Sequence, residues 1–233
     1  MTFTEYKNNY KYIVKKFLKN FKFIRLLAYQ FIQDKRYHVF NFLKKKSVFI
    51  DIGANTGEVS NYINDKYQSK IYCYEPHPGA YKFLKNRFIN FKNVSVFNYA
   101  ISDTSSEQHY YFHKNSPNEE DLIFSQAGSL EENKENISVT KKIKVKCLHI
   151  NEVLDKFKFI DCIKIDIEGH EYKILPFLIE NRNKIKKVIC ELHGNSVNTK
   201  GEIKNAYLKS QYDNIISILK EKNLYNNWFI EWH

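Results

Sequence analysis

Five times along this chain a short apolar run stops at an acidic residue. The runs around Phe49-Ile50, Tyr72-Cys73-Tyr74, Ala100-Ile101-Ser102, Ile163-Lys164-Ile165 and Ile189-Cys190 end at Asp51, Glu75, Asp103, Asp166 and Glu191. Short apolar runs bounded by polar residues suit buried strands. Between them, roughly over 58–67, 78–90, 148–157, 170–181 and 203–222, apolar residues recur at helical spacing. A further strand-like piece, Trp228-Phe229-Ile230, comes last. Alternation of this kind predicts an open, mostly parallel α/β sheet with helices on both faces. In such a sheet the strands end at one edge, and ligands bind there, at the switch in strand order. The five acids are therefore expected to share the functional edge.

Residues 107–147 break the rhythm. Gln108–His113 and Ile143–Cys147 read as strands, and the stretch 114–136 between them is polar and acidic, with Pro117 and Gly128. The sequence predicts a lid-like insertion over 113–142, since long connections in compact domains are commonly functional loops.

Charge is concentrated at the start. The chain has 37 Lys and Arg against 26 Asp and Glu, and residues 1–46 hold twelve of the bases but only Glu5 and Asp34 as acids. Tyr10, Ile13, Val14, Phe17, Phe21, Ile24, Leu27 and Phe31 follow helical spacing, with Lys11, Lys15, Lys19 and Lys22 mostly between them. Residues 1–46 thus read as a basic amphipathic arm attached to a nearly neutral domain over 47–233. A core-capping or dimer-forming helix, peripheral contact with anionic lipid, and attraction of a polyanionic substrate all fit this arm. No nucleic-acid-binding signature accompanies the charge. No run approaches the roughly 20 apolar residues of a membrane span, and the first twelve residues lack the apolar core of a secretion signal. Cys73, Cys147, Cys162 and Cys190 lie far apart in apolar runs, so buried reduced thiols and a cytoplasmic location are expected. His38, His109, His113 and His149 lack spaced companions and read as ordinary surface or core histidines.

Two motifs carry chemistry. Asp51-Ile52-Gly53-Ala54-Asn55-Thr56-Gly57 joins the first strand to the first helix, and its glycines allow a tight turn and close approach of a ligand. Glu75 ends the next strand, where a carboxylate can accept hydrogen bonds from both hydroxyls of a ribose. A pyrophosphate cradle would want glycine at positions 53, 55 and 58, where this chain has Gly53, Asn55 and Glu58. A nucleoside without phosphate fits better, and S-adenosylmethionine is such a ligand. Asp103 either accepts from an exocyclic amine of the purine or is an ordinary turn residue.

The second motif, Asp166-Ile167-Glu168-Gly169-His170-Glu171, crowds four ionisable groups into six residues, and Glu191 and His193 follow the neighbouring strand. Carboxylates beside imidazoles can hold a divalent cation or accept the proton that an alcohol sheds as it reacts. Glu168 and Glu171 also suit a plainer role at a helix N-terminus. Lys164 can reach the site of Asp166 or form a salt bridge.

With these residues in view, the chain resembles the FkbM-type S-adenosylmethionine-dependent methyltransferases. The matching pieces are Phe49 to Gly57, Tyr74-Glu75-Pro76, Asn98 to Asp103, Ile163 to Glu171 and Glu191-Leu192-His193, in the family's order over 47–195. The resemblance implies a class I, Rossmann-like fold with a seven-strand sheet, here carrying an N-terminal helical extension. It implies transfer of a methyl group to a hydroxyl, often on a sugar. Asp51, Gly53, Ala54, Asn55 and Gly57 would then surround the methionine part of the cofactor. Glu75, with Pro76 beside it, would hold the ribose, and Ile101 and Asp103 would border the adenine. Asp166, Glu191 and His193, with Lys164 and His170 nearby, would face the acceptor, and Asp166, Glu191 and His193 would hold any Mg or Mn ion. One strand-like run near residue 230 leaves the family's final antiparallel hairpin short or altered. The basic arm suggests an anionic acceptor such as a sugar nucleotide. The rivals are methylation of an amine nitrogen, and a non-catalytic module anchored by the arm.

Overall fold

The structure is a computed structural model that describes Ile32, residues 35–197 and residues 203–232. The helix expected over Tyr10–Phe31 lies outside the described residues. Residues 1–42 and 43–233 are separate compact units. In the first, His38–Phe40 form a short 3-10 turn.

The second unit is built on a six-stranded sheet in the order β3-β2-β1-β7-β8-β9, with every pairing parallel. Its strands are β1 (Val48–Ile52), β2 (Lys70–Tyr74), β3 (Val94–Phe97), β7 (Cys162–Ile165), β8 (Val188–Cys190) and β9 (Phe229–Glu231). The helices are α1 (Glu58–Tyr67), α2 (Pro78–Arg87), α3 (Ile150–Leu154), α4 (Glu171–Glu180) and α5 (Ala206–Glu221). Six strands replace the expected seven. The apolar run after α5 supplies one strand, and β9 pairs parallel with β8 instead of entering an antiparallel hairpin.

The remaining strands form a three-stranded sheet in the order β4-β6-β5, from β4 (Ala100–Ser102), β5 (Glu107–His113) and β6 (Ile137–His149). Residues 94–102 are therefore split between two sheets, β3 in one and β4 in the other. Asn98 explains the break: its side-chain amide donates to the carbonyls of Glu75 (2.9 Å) and Pro76 (3.3 Å), pulling the chain out of the β3 ladder. β6 is also far longer than the 143–147 expected. Residues 137–142 are strand, with Ile137 opposite His113 and Lys142 opposite Tyr111, so the polar connection is 114–136.

Strand alternation sends β1, β7 and β8 to two different environments. Ile50, Ile52, Ile163, Ile165 and Val188 pack on one face with Ile174, Leu175 and Leu178 of α4 and Leu208, Ile215 and Leu219 of α5. On the other face Asp51 and Lys164 lie side by side as register partners of β1 and β7. There Ser60 of α1 donates to Asp51 Oδ2 (2.6 Å) and lies 3.2 Å from Cys73 Sγ. All four cysteines are buried and free, as their apolar settings imply.

The Lys164 ammonium is 3.2 Å from Asp51 Oδ1, with side chains 4% and 0% exposed. Burial works against the charged amine, but Asp51 and Asp166 more than offset it and hold its pKa above the ordinary lysine value. Removing one partner of such a pair leaves an uncompensated buried charge. Lys164→Met is expected to destabilise the fold by about 3–5 kcal/mol. Adding Asp51→Asn should recover part of that loss, as read from urea unfolding of the two variants.

Candidate active site

The bend between β1 and α1 is shaped by three left-handed residues, Gly53 (φ 76°), Asn55 (φ 47°) and Gly57 (φ 79°). The Gly53 and Ala54 amides donate to the carbonyl of Tyr74 at 3.0 and 3.1 Å, and the Asn55 amide donates to Glu75 Oε2 at 2.7 Å. The bend is thus stitched to the end of β2. On its other side a Cβ on Gly53 would fall 1.9 Å from the carbonyl oxygen of Asp166, so only glycine lets β1 and β7 end this close together. Lys164 fixes the same junction from below, donating to the Gly53 carbonyl at 2.8 Å and lying 3.7 Å from Asp166 Oδ2.

Above the bend runs a narrow cleft of about 540 Å³, part of it open to solvent. Gly53, Asn55, Glu75, Pro76, Tyr99, Ile101, Asp166, Glu168 and His170 are among the residues that line it. Glu75 is 4% exposed, and its second oxygen accepts the His77 amide at 2.7 Å. Burial raises its pKa to about 7, against the lowering effect of those two amides. The 114–136 connection supplies Ser125, Gln126 and Gly128–Leu130 to the opposite wall. It is held by Asn55 Nδ2 donating to Ser125 Oγ (3.1 Å) and by Ser129 Oγ donating to the Glu168 carbonyl (2.8 Å).

The second motif forms a nest of charges beyond β7 and β8. Glu171 is fully buried and accepts the Gly169 amide (2.9 Å), the His193 amide (2.8 Å) and His193 Nδ1 (3.1 Å). This turns His193 Nε2 towards Glu168 Oε2, 3.4 Å away, with Glu191 Oε1 at 4.0 Å. Lys134 also pairs with Glu168 Oε2. Burial disfavours the imidazolium of His193, but hydrogen bonds to Glu168 and Glu171 outweigh it and push its pKa up to about 11. Burial raises the pKa of Asp166 and of Glu191, the latter further raised by Asp166. Glu168 is also penalised by burial, yet His193 and Lys134 bring its pKa below the usual carboxylate value. A polar pocket opens beside this nest, walled by Glu168, Glu191, His193, Asn136, Asn195 and Lys204 among others.

Donor atoms of Asp166, Glu168 and His193 lie within 4.8 Å of one another, so Glu168 rather than Glu191 completes the trio suited by distance to a cation. A divalent ion needs a deprotonated imidazole and free carboxylate oxygens. Here hydrogen bonds to Glu168 and Glu171 favour the protonated ring, and Lys134 pairs with one oxygen of Glu168. An ion at this trio would take the place of the His193 proton and share Glu168 with Lys134.

Of the expected cofactor residues, Gly53, Asn55, Glu75, Pro76 and Ile101 line the cleft. Asp51 lies beneath the bend, fully buried. Ala54 and Gly57 shape the bend, and Gly57 is the N-cap of α1. Asp103 accepts from Ser102 Oγ (3.0 Å) and lines a neighbouring depression, not the cleft. Of the acceptor-facing residues, Asp166 and His170 line the cleft, Glu191 and His193 line the polar pocket, and Lys164 lies under the bend. His170 is fixed by Glu131 (Nδ1, 2.7 Å) and Ser102 (Nε2, 2.9 Å). Sequence reasoning missed Ser125 and Lys134, which sit in a polar stretch with no periodicity. It also set Glu168 aside as a helix-end acid, although Glu168 caps no helix and its backbone is left-handed (φ 59°).

No described helix is long and apolar enough to cross a membrane. Neither the curated proteins nor the solved structures give a match to this chain. The family model described as the methyltransferase FkbM domain matches residues 51–225, three quarters of the chain and all of the machinery above. With the bend, Glu75 and the acid–imidazole nest all inside the matched region, the chain belongs to the FkbM methyltransferase family and is an S-adenosylmethionine-dependent enzyme.

Proposed function

We propose that this methyltransferase transfers its methyl group to a hydroxyl of a sugar, carried on a nucleotide or a glycan precursor, and that it does so without a metal. The observation that carries the cofactor assignment to this cleft is its charge. Glu75, Asp166 and Glu168 line it, and no Lys or Arg does so among the described residues. Such a lining repels phosphate and welcomes a ligand bearing an ammonium and a sulfonium. Bound S-adenosylmethionine supplies an electrophilic methyl on a positively charged sulfur. Glu75 would accept from the ribose hydroxyls, since each carboxylate oxygen has a lone pair beyond the amide it already receives. The Gly53–Asn55 backbone would cradle the methionine part, and Ile101 with Tyr99 would flank the adenine.

The polar pocket beside the cleft supports an alcohol acceptor. Asn136, Asn195 and Ser196 offer paired donors and acceptors, and Glu168 and Glu191 offer acceptors, as a polyhydroxylated ring requires. An alcohol becomes a competent nucleophile as it loses its proton, and carboxylates of the nest stand ready to receive it. Holding the two reactants in register can itself supply roughly 7–11 kcal/mol of barrier lowering. The basic arm at 1–46 supports an anionic carrier on the acceptor, by attraction.

S-adenosylhomocysteine should raise the melting temperature of the wild-type chain and bind measurably by calorimetry. Methyl-labelled S-adenosylmethionine should then label one member of a panel of sugar nucleotides and glycan precursors. An intact fold with no cofactor binding would overturn the reading. Turnover should survive EDTA within about twofold, whereas a metal-assisted mechanism would stop.

The Glu75 shift adds a pH test. Its folded value near 7 lies above its ordinary 4.5, so the free protein keeps that stabilising contribution below pH 4.5 and loses it as pH rises through 7. A ribose donates to the ionised form, so binding must remove the proton below pH 7. The Kd for S-adenosylhomocysteine is expected to weaken about tenfold per pH unit between pH 7 and 5. In Glu75→Gln it should be weak and flat over that range.

A further inference from the structure

Glu168 is the one residue, among those described, that lines both the cofactor cleft and the neighbouring polar pocket. Its side chain caps no helix. Helix α4 is capped at His170, and the Gly169 amide is taken by Glu171, not by Glu168. Its backbone is nevertheless held left-handed at φ 59°, a conformation rare outside glycine, with its carbonyl accepting Ser129 Oγ at 2.8 Å. Strain of that kind persists where surrounding contacts impose it, and it concentrates at functional positions. Those contacts aim the carboxylate. One oxygen, Oε2, meets Lys134 and lies 3.4 Å from His193 Nε2, while Oε1 has no hydrogen-bond partner among the described residues.

We propose that Glu168 is a catalytic residue, the carboxylate that meets the acceptor's reacting hydroxyl at the methyl-bearing end of the cleft. This rests on the reading of the cleft as the S-adenosylmethionine site. Lys134 and His193 hold Oε2, which leaves Oε1 at the window between the two cavities. There it accepts a hydrogen bond from the hydroxyl. The hydroxyl oxygen then forms a bond to the methyl carbon, and the carbon–sulfur bond breaks with its electron pair remaining on sulfur as a neutral thioether. The hydroxyl proton passes to Glu168 and leaves through the polar pocket to solvent.

Ligand binding tests this without knowledge of the acceptor. Sinefungin is a cofactor analogue in which an amine-bearing carbon replaces the methyl-bearing sulfonium, so its ammonium marks the methyl position. S-adenosylhomocysteine has nothing there. Calorimetry on the full chain should show Glu168→Gln losing at least tenfold in sinefungin affinity, with S-adenosylhomocysteine affinity kept within threefold. Glu168→Asp, which keeps the charge but draws it back by one methylene, should lose a smaller part of the same preference, and it decides the matter if Glu168→Gln does not fold. Equal losses for both ligands, or no loss for either, would overturn the assignment of Glu168. A wild-type chain that binds neither ligand would instead overturn the cofactor reading beneath it.

Discussion

A single buried ammonium holds the working edge of this protein together. Lys164 meets Asp51 of the adjacent strand, the carbonyl of the Gly53 bend and the carboxylate of Asp166. It therefore ties the end of β1, which shapes the cofactor loop, to the end of β7, which begins the acid–imidazole nest. Buried pairs of this sort are weak contributors to net stability but costly to half-remove. Here the gain is positional, since three groups that must keep a fixed distance share one cation. Gly53 makes the arrangement possible by presenting no side chain where the Asp166 carbonyl passes.

In the nest beyond it, acids crowd at one sheet edge beside cations that the chain itself supplies. Asp166, Glu168, Glu171 and Glu191 converge within the reach of His193, Lys134 and Lys164. The three bases come from β7, from the loop after β8 and from the 114–136 connection, so the charge balance is assembled only on folding. That assembly shifts the proton affinity of Glu168 in the opposite direction from those of Asp166 and Glu191. Burial lifts Asp166 and Glu191, whereas direct pairing lowers Glu168.

Much of this was legible in the sequence because parallel strands impose a simple rule: buried on both faces, they read as apolar runs, and their polar residues fall at their ends. Asp51, Glu75, Asp166 and Glu191 were found that way. The rule fails where a strand is exposed. β6 carries Lys141, Lys142, Lys144 and Lys146 on a largely solvated surface, so six of its residues read as loop. The break between β3 and β4 depends on one asparagine side chain reaching two carbonyls, a tertiary event that no local pattern announces. Glu168 was visible as a residue but not as a role, because its importance lies in a left-handed turn and in Lys134, thirty-four positions earlier.

The two cavities draw on nearly separate parts of the chain. The cleft takes its walls from β1 and the bend after it, the ends of β2 and β7, β4, Tyr110 and residues 125–130, and the polar pocket from residues 134–136, 191–196 and 204–208 with Glu168. Substitutions in the second set can therefore reshape the polar pocket while the walls of the cleft stay intact. The exception is Glu168, which lines both: a change there alters the two cavities at once.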